Sequence, residues 1–163
     1  MPATLKRFIT MTPLARTAVL VLVAAATAAS GDDGRRTVRL LPRYAQECGA
    51  CHVAYPPGLL PPASWQRLMR GLTDHFGSDA SVDAATLKEL DTWLAANAAA
   101  GRRTAEAPPQ DRITRSQWFI REHREVAPAT WQSPLVRSAA NCAACHTRAA
   151  EGDFDEDTVR IPR

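Results

Sequence analysis

Two short clusters, Cys48-Gly49-Ala50-Cys51-His52 and Cys142-Ala143-Ala144-Cys145-His146, use every cysteine in this 163-residue chain. Both read Cys-x-x-Cys-His, the pattern through which haem is attached covalently. The spacing has a chemical reason: two thiols on one short turn add across the two vinyl groups of one porphyrin, and the next residue then lies under the iron. Gly49-Ala50 and Ala143-Ala144 are small enough to let the backbone lie against the porphyrin edge. Cys48, Cys51, Cys142 and Cys145 are thus the candidate attachment residues for two covalently bound haem c groups, with His52 and His146 as proximal iron ligands.

Other chemistries use paired cysteines, and each leaves something unexplained. A structural zinc site could take all four thiolates, but the long separation between the pairs strains that reading. A thioredoxin-like redox pair belongs at a strand-to-helix junction, and the chain has no strand pattern. Two short disulfides would suit an oxidising compartment. None of the three requires a histidine after both second cysteines.

The sixth iron position is constrained by counting. Outside the motifs the only histidines are His75 and His123, two spares for two irons. Methionine is the competing ligand. Met1 and Met11 fall in an N-terminal segment read below as removed, which leaves Met69 to serve at most one haem. Whether Met69 replaces a histidine, and whether a histidine from one half serves the haem of the other, stay open at this point.

Residues 1–29 read as a cleaved secretory signal. Lys6, Arg7 and Arg16 give a basic start, residues 14–29 are apolar, and Ala26-Thr27-Ala28 offers the small-x-small pattern of a cleavage site. The charge-free run over residues 17–29 is shorter than the ~20 residues that span hydrocarbon, which argues against an uncleaved anchor. The expected location is the periplasm, without stable membrane insertion. The whole chain has 20 basic and 17 acidic residues. Removing the segment takes three basic and no acidic residues, so the remainder is near neutral and nothing in its charge suggests nucleic-acid binding. Large apolar side chains are scarce, with four Phe, four Trp and two Tyr. A core this thin calls for a prosthetic group to fill it.

The expected fold class is all-α, as two small haem-binding units. The first covers residues 30–100, a linker covers 101–110 and the second covers 111–163. A helix over residues 43–51 delivers the first motif, and the prolines between Pro56 and Pro62 predict an extended loop. Ser64 is a candidate cap for a helix carrying Trp65, Leu68, Met69 and Leu72, with His75 at its end. Ser81 predicts the start of a helix over residues 82–98, closed by Gly101. In the second unit, Thr114 and Gln117 predict a capping box for a helix that puts Phe119, Ile120, His123 and Val126 on one face and stops at Pro128. Ser133-Pro134 predicts a further helix running to His146. The acidic stretch over residues 151–157 reads as solvated surface.

The segments CGACHVAYPPGLL (48–60), HFGSDA (75–80), 112–123 and 141–146, with Ile161-Pro162 near the end, resemble the small bacterial dihaem cytochromes c of photosynthetic and other proteobacteria. The resemblance spans nearly all of the chain after the signal. It implies a first unit like a class I cytochrome c and a second of its own topology. It also implies bis-histidine ligation, with His52 and His75 on one iron and His146 and His123 on the other. The implied role is a periplasmic electron carrier, not an enzyme, serving a redox partner haem protein. That partner is a small oxygen-binding cytochrome, with a membrane cytochrome b upstream. The rival is a haem enzyme or gas-binding sensor with one open axial site. A radius of gyration of ~14 Å for a compact chain of this length keeps the two porphyrins close.

Overall fold

The computed structural model describes residues 38–99, 101 and 106–162, and residues 35–163 form one compact unit. The signal segment expected over residues 1–29 and the centre of the expected linker lie outside the described residues. Among the described residues the secondary structure is helical throughout, with two isolated bridges and no strand. None of these helices is long and apolar enough to cross a membrane.

Proline placement sets the first half. Helix α1, Pro42–Gly49, begins with proline at its first turn and ends just before Cys51. Contrary to the extended loop expected between Pro56 and Pro62, Pro57–Leu59 forms a 3-10 turn and helix α2 spans Pro62–Arg70. Both start on proline, whose missing N–H costs nothing in a first helical turn. Ser64 is therefore not a cap but a buried residue inside α2. Helix α3, Ala84–Asn97, starts later than Ser81, because the Asp83 carboxylate accepts from the Ala85 and Thr86 N–H groups. It ends at Asn97, short of Gly101.

Helices α1, α2 and α3 enclose a core of Tyr44, Ala54, Leu60, Trp65, Met69, Leu90 and Leu94. Each fully buried leucine contributes ~1.5–3 kcal/mol. Tyr44 donates to the Tyr55 carbonyl at 2.7 Å and Trp65 Nε1 to the Pro57 carbonyl at 2.7 Å, so the polar groups of these two core aromatics are satisfied. The Trp65 bond also ties α2 to the proline-rich turn.

The second half is more irregular than the sequence predicts. Helix α4 is only Gln117–Glu122, capped by Ser116, whose Oγ accepts from the Phe119 N–H. Thr114 plays no capping part, and His123 is the residue that closes α4. Phe119 is buried, but Ile120 faces solvent at 52 % exposure, so the expected common face is split. Pro128 opens helix α5, Pro128–Gln132, instead of only stopping a helix. No helix runs from Pro134 to His146. There, Ser133 Oγ accepts from the Leu135 N–H, Ser138 Oγ from the Ala140 N–H, and Asn141 donates to the Val136 carbonyl. Such local side-chain bonds compete with a helical ladder, and Arg137 sits at φ 67° in the left-handed region. The acidic stretch is exposed at Asp155, Glu156 and Asp157, while Glu151 and Asp153 both pair with Arg148 at 2.9 Å.

Side-chain hydrogen bonds help tie the halves together. Arg67 of α2 makes a two-pronged pair with Asp111, at 2.9 and 2.6 Å, and Tyr55 Oη donates to the Ala140 carbonyl at 2.8 Å.

Replacing Ser116 with alanine removes the α4 cap and should cost about 1 kcal/mol in guanidinium unfolding of the holoprotein. Asp83 gives a pH-dependent counterpart. Its bonds from Thr86 hold the carboxyl below the usual 3.8. A depressed folded pKa means the stabilisation is present above about pH 4 and is lost as pH falls through the folded value. Asp83→Ala should therefore melt below the parent at neutral pH, and the gap should close as both are acidified. The group is exposed, so solvent screening keeps the gap small.

Candidate functional site

The first motif straddles the end of α1, with Cys48 in the helix and Cys51 and His52 just past it. The His52 ring Nδ1 lies 2.7 Å from the Val53 carbonyl, which fixes the ring's orientation and leaves Nε2 as the outward ligand atom. Tyr55 stacks on that ring at 4.7 Å between centroids, with planes 17° apart.

His75 arrives from the other side on a tight turn. Its N–H donates to the Ser78 carbonyl at 2.7 Å and its carbonyl accepts from the Ser78 N–H at 3.3 Å. Between them Phe76 and Gly77 both have positive φ, 57° and 94°, a pattern that suits glycine at the second position and strains phenylalanine at the first. Asp74 Oδ1 accepts from the Gly77 N–H at 3.0 Å and holds the turn. The His52 and His75 ring centroids end 6.2 Å apart, with planes 26° from parallel. Burial, then the neighbouring His52 and Arg112, lower the His75 pKa, favouring the neutral imidazole that a metal requires.

Between these rings opens an apolar cavity of about 400 Å³, lined by Cys48, Cys51, His52 and His75 and walled by Leu68, Met69, Leu90 and Leu94. That is within the ~300–1,000 Å³ range of cofactor pockets. The second half contributes Arg112, Ile113, Thr114, Ala140 and Cys142 to the same wall. A thiol of the second motif thus borders the first cavity.

The second site uses the reverse order. His123 closes α4, and both its N–H and its ring Nδ1 meet the Phe119 carbonyl, at 3.0 and 2.9 Å. The ring stacks on Phe119 at 3.9 Å and lies 5.9 Å from Trp131. His146 follows a 3-10 turn, Cys142–Ala144, and is held from outside by the C-terminal tail. It forms a bridge with Val159, Arg160 N–H donates to the Cys145 carbonyl at 2.8 Å, and Phe154 packs at 5.2 Å. The His123 and His146 centroids are 6.1 Å apart, with planes crossing at 67°.

Each motif histidine therefore faces one spare histidine from its own half. A metal–imidazole bond of about 2.0 Å, with the nitrogen about 1.1 Å from the ring centre, puts two rings on opposite sides of one iron ~6.2 Å apart. Both separations match that figure, and the first brackets a cavity of suitable size, so the residues present fit haem at each motif. The thiols fit thioether chemistry better than thiolate ligation. Burial pushes Cys48 and Cys142 up to about 11 and raises Cys145. The four thiols are unbridged, and among the described residues no three His, Cys, Asp or Glu side chains gather to hold a metal directly. The zinc and disulfide readings lose their geometry.

Several surrounding residues were not legible as site residues. Tyr55, Arg112, Trp131 and Phe154 lack motif spacing, and only the folded chain brings them to the rings. Of these, Tyr55 and Arg112 lay inside quoted segments.

The dihaem cytochrome c family matches residues 44–154. No curated protein matches the chain. Among solved structures, DHC purified from Rhodobacter sphaeroides is 45 % identical over 72 % of this chain and 99 % of that one, with a TM-score of 0.62. A dihaem cytochrome c structure from the same organism is 40 % identical over 72 % and 100 %, with a TM-score of 0.63. The dihaem cytochrome c of Shewanella baltica OS155 is 38 % identical over 74 % and 92 %, with a TM-score of 0.66. With both attachment motifs intact and a cavity shaped for the cofactor, the chain belongs to the dihaem cytochrome c family and takes two haem c groups.

Proposed function

We propose that this protein is an exported electron carrier with two low-spin, bis-histidine haems. Cys48 and Cys51 attach the first and Cys142 and Cys145 the second. His52 with His75, and His146 with His123, close the two irons. The observation that carries the reading is the pair of ring separations, 6.2 and 6.1 Å, each one iron wide. Met69 is packed in the core at 6 % exposure, whereas His75 is the side chain that faces His52.

When bound, each haem supplies an iron that changes charge by one electron. The protein's part is to keep that change cheap. His52 with His75, and His146 with His123, would hold the iron in both oxidation states, so that no ligand need be gained or lost and no position would be left for substrate. Carbonyls of Val53 and Phe119 hold His52 and His123 in orientation throughout. Without methionine ligation, the expected reduction potentials lie below those of His/Met cytochromes.

We read the chain as a class I-like portion over residues 30–100 and a second over 111–163, joined at 101–110, because each histidine pair falls within one portion. Export to the periplasm is supported by the basic and apolar pattern of residues 1–29 and by covalent haem attachment. The partner is another haem protein, a small oxygen-binding cytochrome fed through this carrier from a membrane cytochrome b. The support for that assignment is family resemblance.

Carbon monoxide separates this reading from a haem enzyme or gas sensor. Added to the dithionite-reduced holoprotein, it should leave the Soret band unchanged for minutes at both haems. Prompt conversion at one haem would establish an open site and overturn the closed carrier. His75→Ala and His123→Ala should each open one iron, so that half of the haem converts while the other half stays low-spin. A variant that stays low-spin at both irons would show that its histidine is not a ligand.

A further inference from the structure

The wall of the first cavity carries three acidic side chains, Glu47, Asp79 and Asp111, and, among the described residues that line it, one basic side chain, Arg112. Arg112 comes from the far half of the chain. Asp111 is already committed to Arg67. Among the described residues no carboxylate pairs with Arg112. Its guanidinium carbon lies over the Phe76 ring, 4.1 Å from the centroid.

The placement is built by the backbone. Gln110 and Asp111, just before Arg112, both sit at positive φ, 58° and 54°. Non-glycine residues persist there only when their surroundings hold them, and the Arg67–Asp111 pair supplies the hold. Arg112 then leaves the turn in an extended conformation toward the cavity.

A haem c group brings two propionates, and a carboxylate entering a partly buried site needs a charged partner. Arginine is the side chain that meets a carboxylate with two parallel donors. We propose that Arg112 is the counter-ion of a propionate on the first haem. The inference rests on placing that haem between His52 and His75. Two consequences follow for the chain. The C-terminal half anchors the haem attached by the N-terminal half. The cation also favours the reduced state of that iron, so loss of its charge lowers one potential and spares the other.

The test uses holoproteins of Arg112→Gln, Arg112→Lys and Phe76→Leu, with spectroelectrochemical titration and resonance Raman of the propionate bending bands. Arg112→Gln should shift one haem's reduction equilibrium at least tenfold toward the oxidised form, 59 mV for one electron. It should also shift a propionate band while both irons stay low-spin. Arg112→Lys should titrate within threefold of the parent, and so should Phe76→Leu, which keeps the charge and loses the ring contact. Unchanged potentials and bands in Arg112→Gln would overturn the proposal. It would equally fall if Phe76→Leu lowered the potential as far, or if Arg112→Gln became high-spin at one iron, because Arg112 would then act by clamping the His75 turn. Should Arg112→Gln not mature, Arg112→Lys decides: a tenfold shift there would overturn the counter-ion role. Carbon monoxide binding by the parent at the first haem would instead remove the ligation on which the proposal stands.

Discussion

The gap between two imidazoles governs this structure. The paired ring centroids lie 6.2 and 6.1 Å apart, and on the proposed reading one iron stands in each gap. Around the first gap, the helices leave an apolar cavity where a protein of this size would ordinarily place side chains. Leu90 and Leu94 of α3 and Met69 of α2 are at once core residues and cavity wall. A haem in this cavity would therefore complete the core that the small stock of large apolar residues leaves open.

The two sites reach similar separations by different local means. His75 is presented by a strained two-residue turn, and His123 by the end of a short helix whose Phe119 carbonyl meets both its N–H and its ring. The ring planes differ accordingly, 26° apart at the first site and 67° at the second. The sites are also unequal in surroundings, since the first is walled by residues from both halves. Cys142, attached to the second haem, borders the first cavity, and Tyr55 reaches from the His52 ring to the Ala140 carbonyl two residues before it.

The all-helical class was legible, as were α1 from its place after Pro42 and α2 and α3 from leucine and tryptophan at helical spacing, although the starts of α2 and α3 were misplaced. The chemistry was legible too, since cysteine spacing and the scarcity of histidine leave few candidates. What escaped was decided by competition that spacing cannot reveal. Ser64, Ser81, Thr114 and Ser116 are all capable caps, but Asp83 displaced Ser81, Ser64 fell inside a helix that starts on Pro62, and Ser116 capped α4 in place of Thr114. Residues 133–146 read as a helix, but serine and asparagine side chains captured the backbone groups a helix would have used. Arg112 opened a segment that carries the family resemblance, but the role proposed for it was not legible, because that role depends on a turn at Asp111 anchored by a residue 44 positions earlier.

Electron paramagnetic resonance of the fully oxidised holoprotein tests the central claim most directly. Imidazole on both sides of both irons predicts two low-spin ferric signals of equal intensity and no high-spin signal. They should differ in anisotropy, because the ligand planes are near parallel at one iron and strongly crossed at the other. A high-spin signal at either iron, or low-spin intensity equal to one iron per chain, would contradict the account.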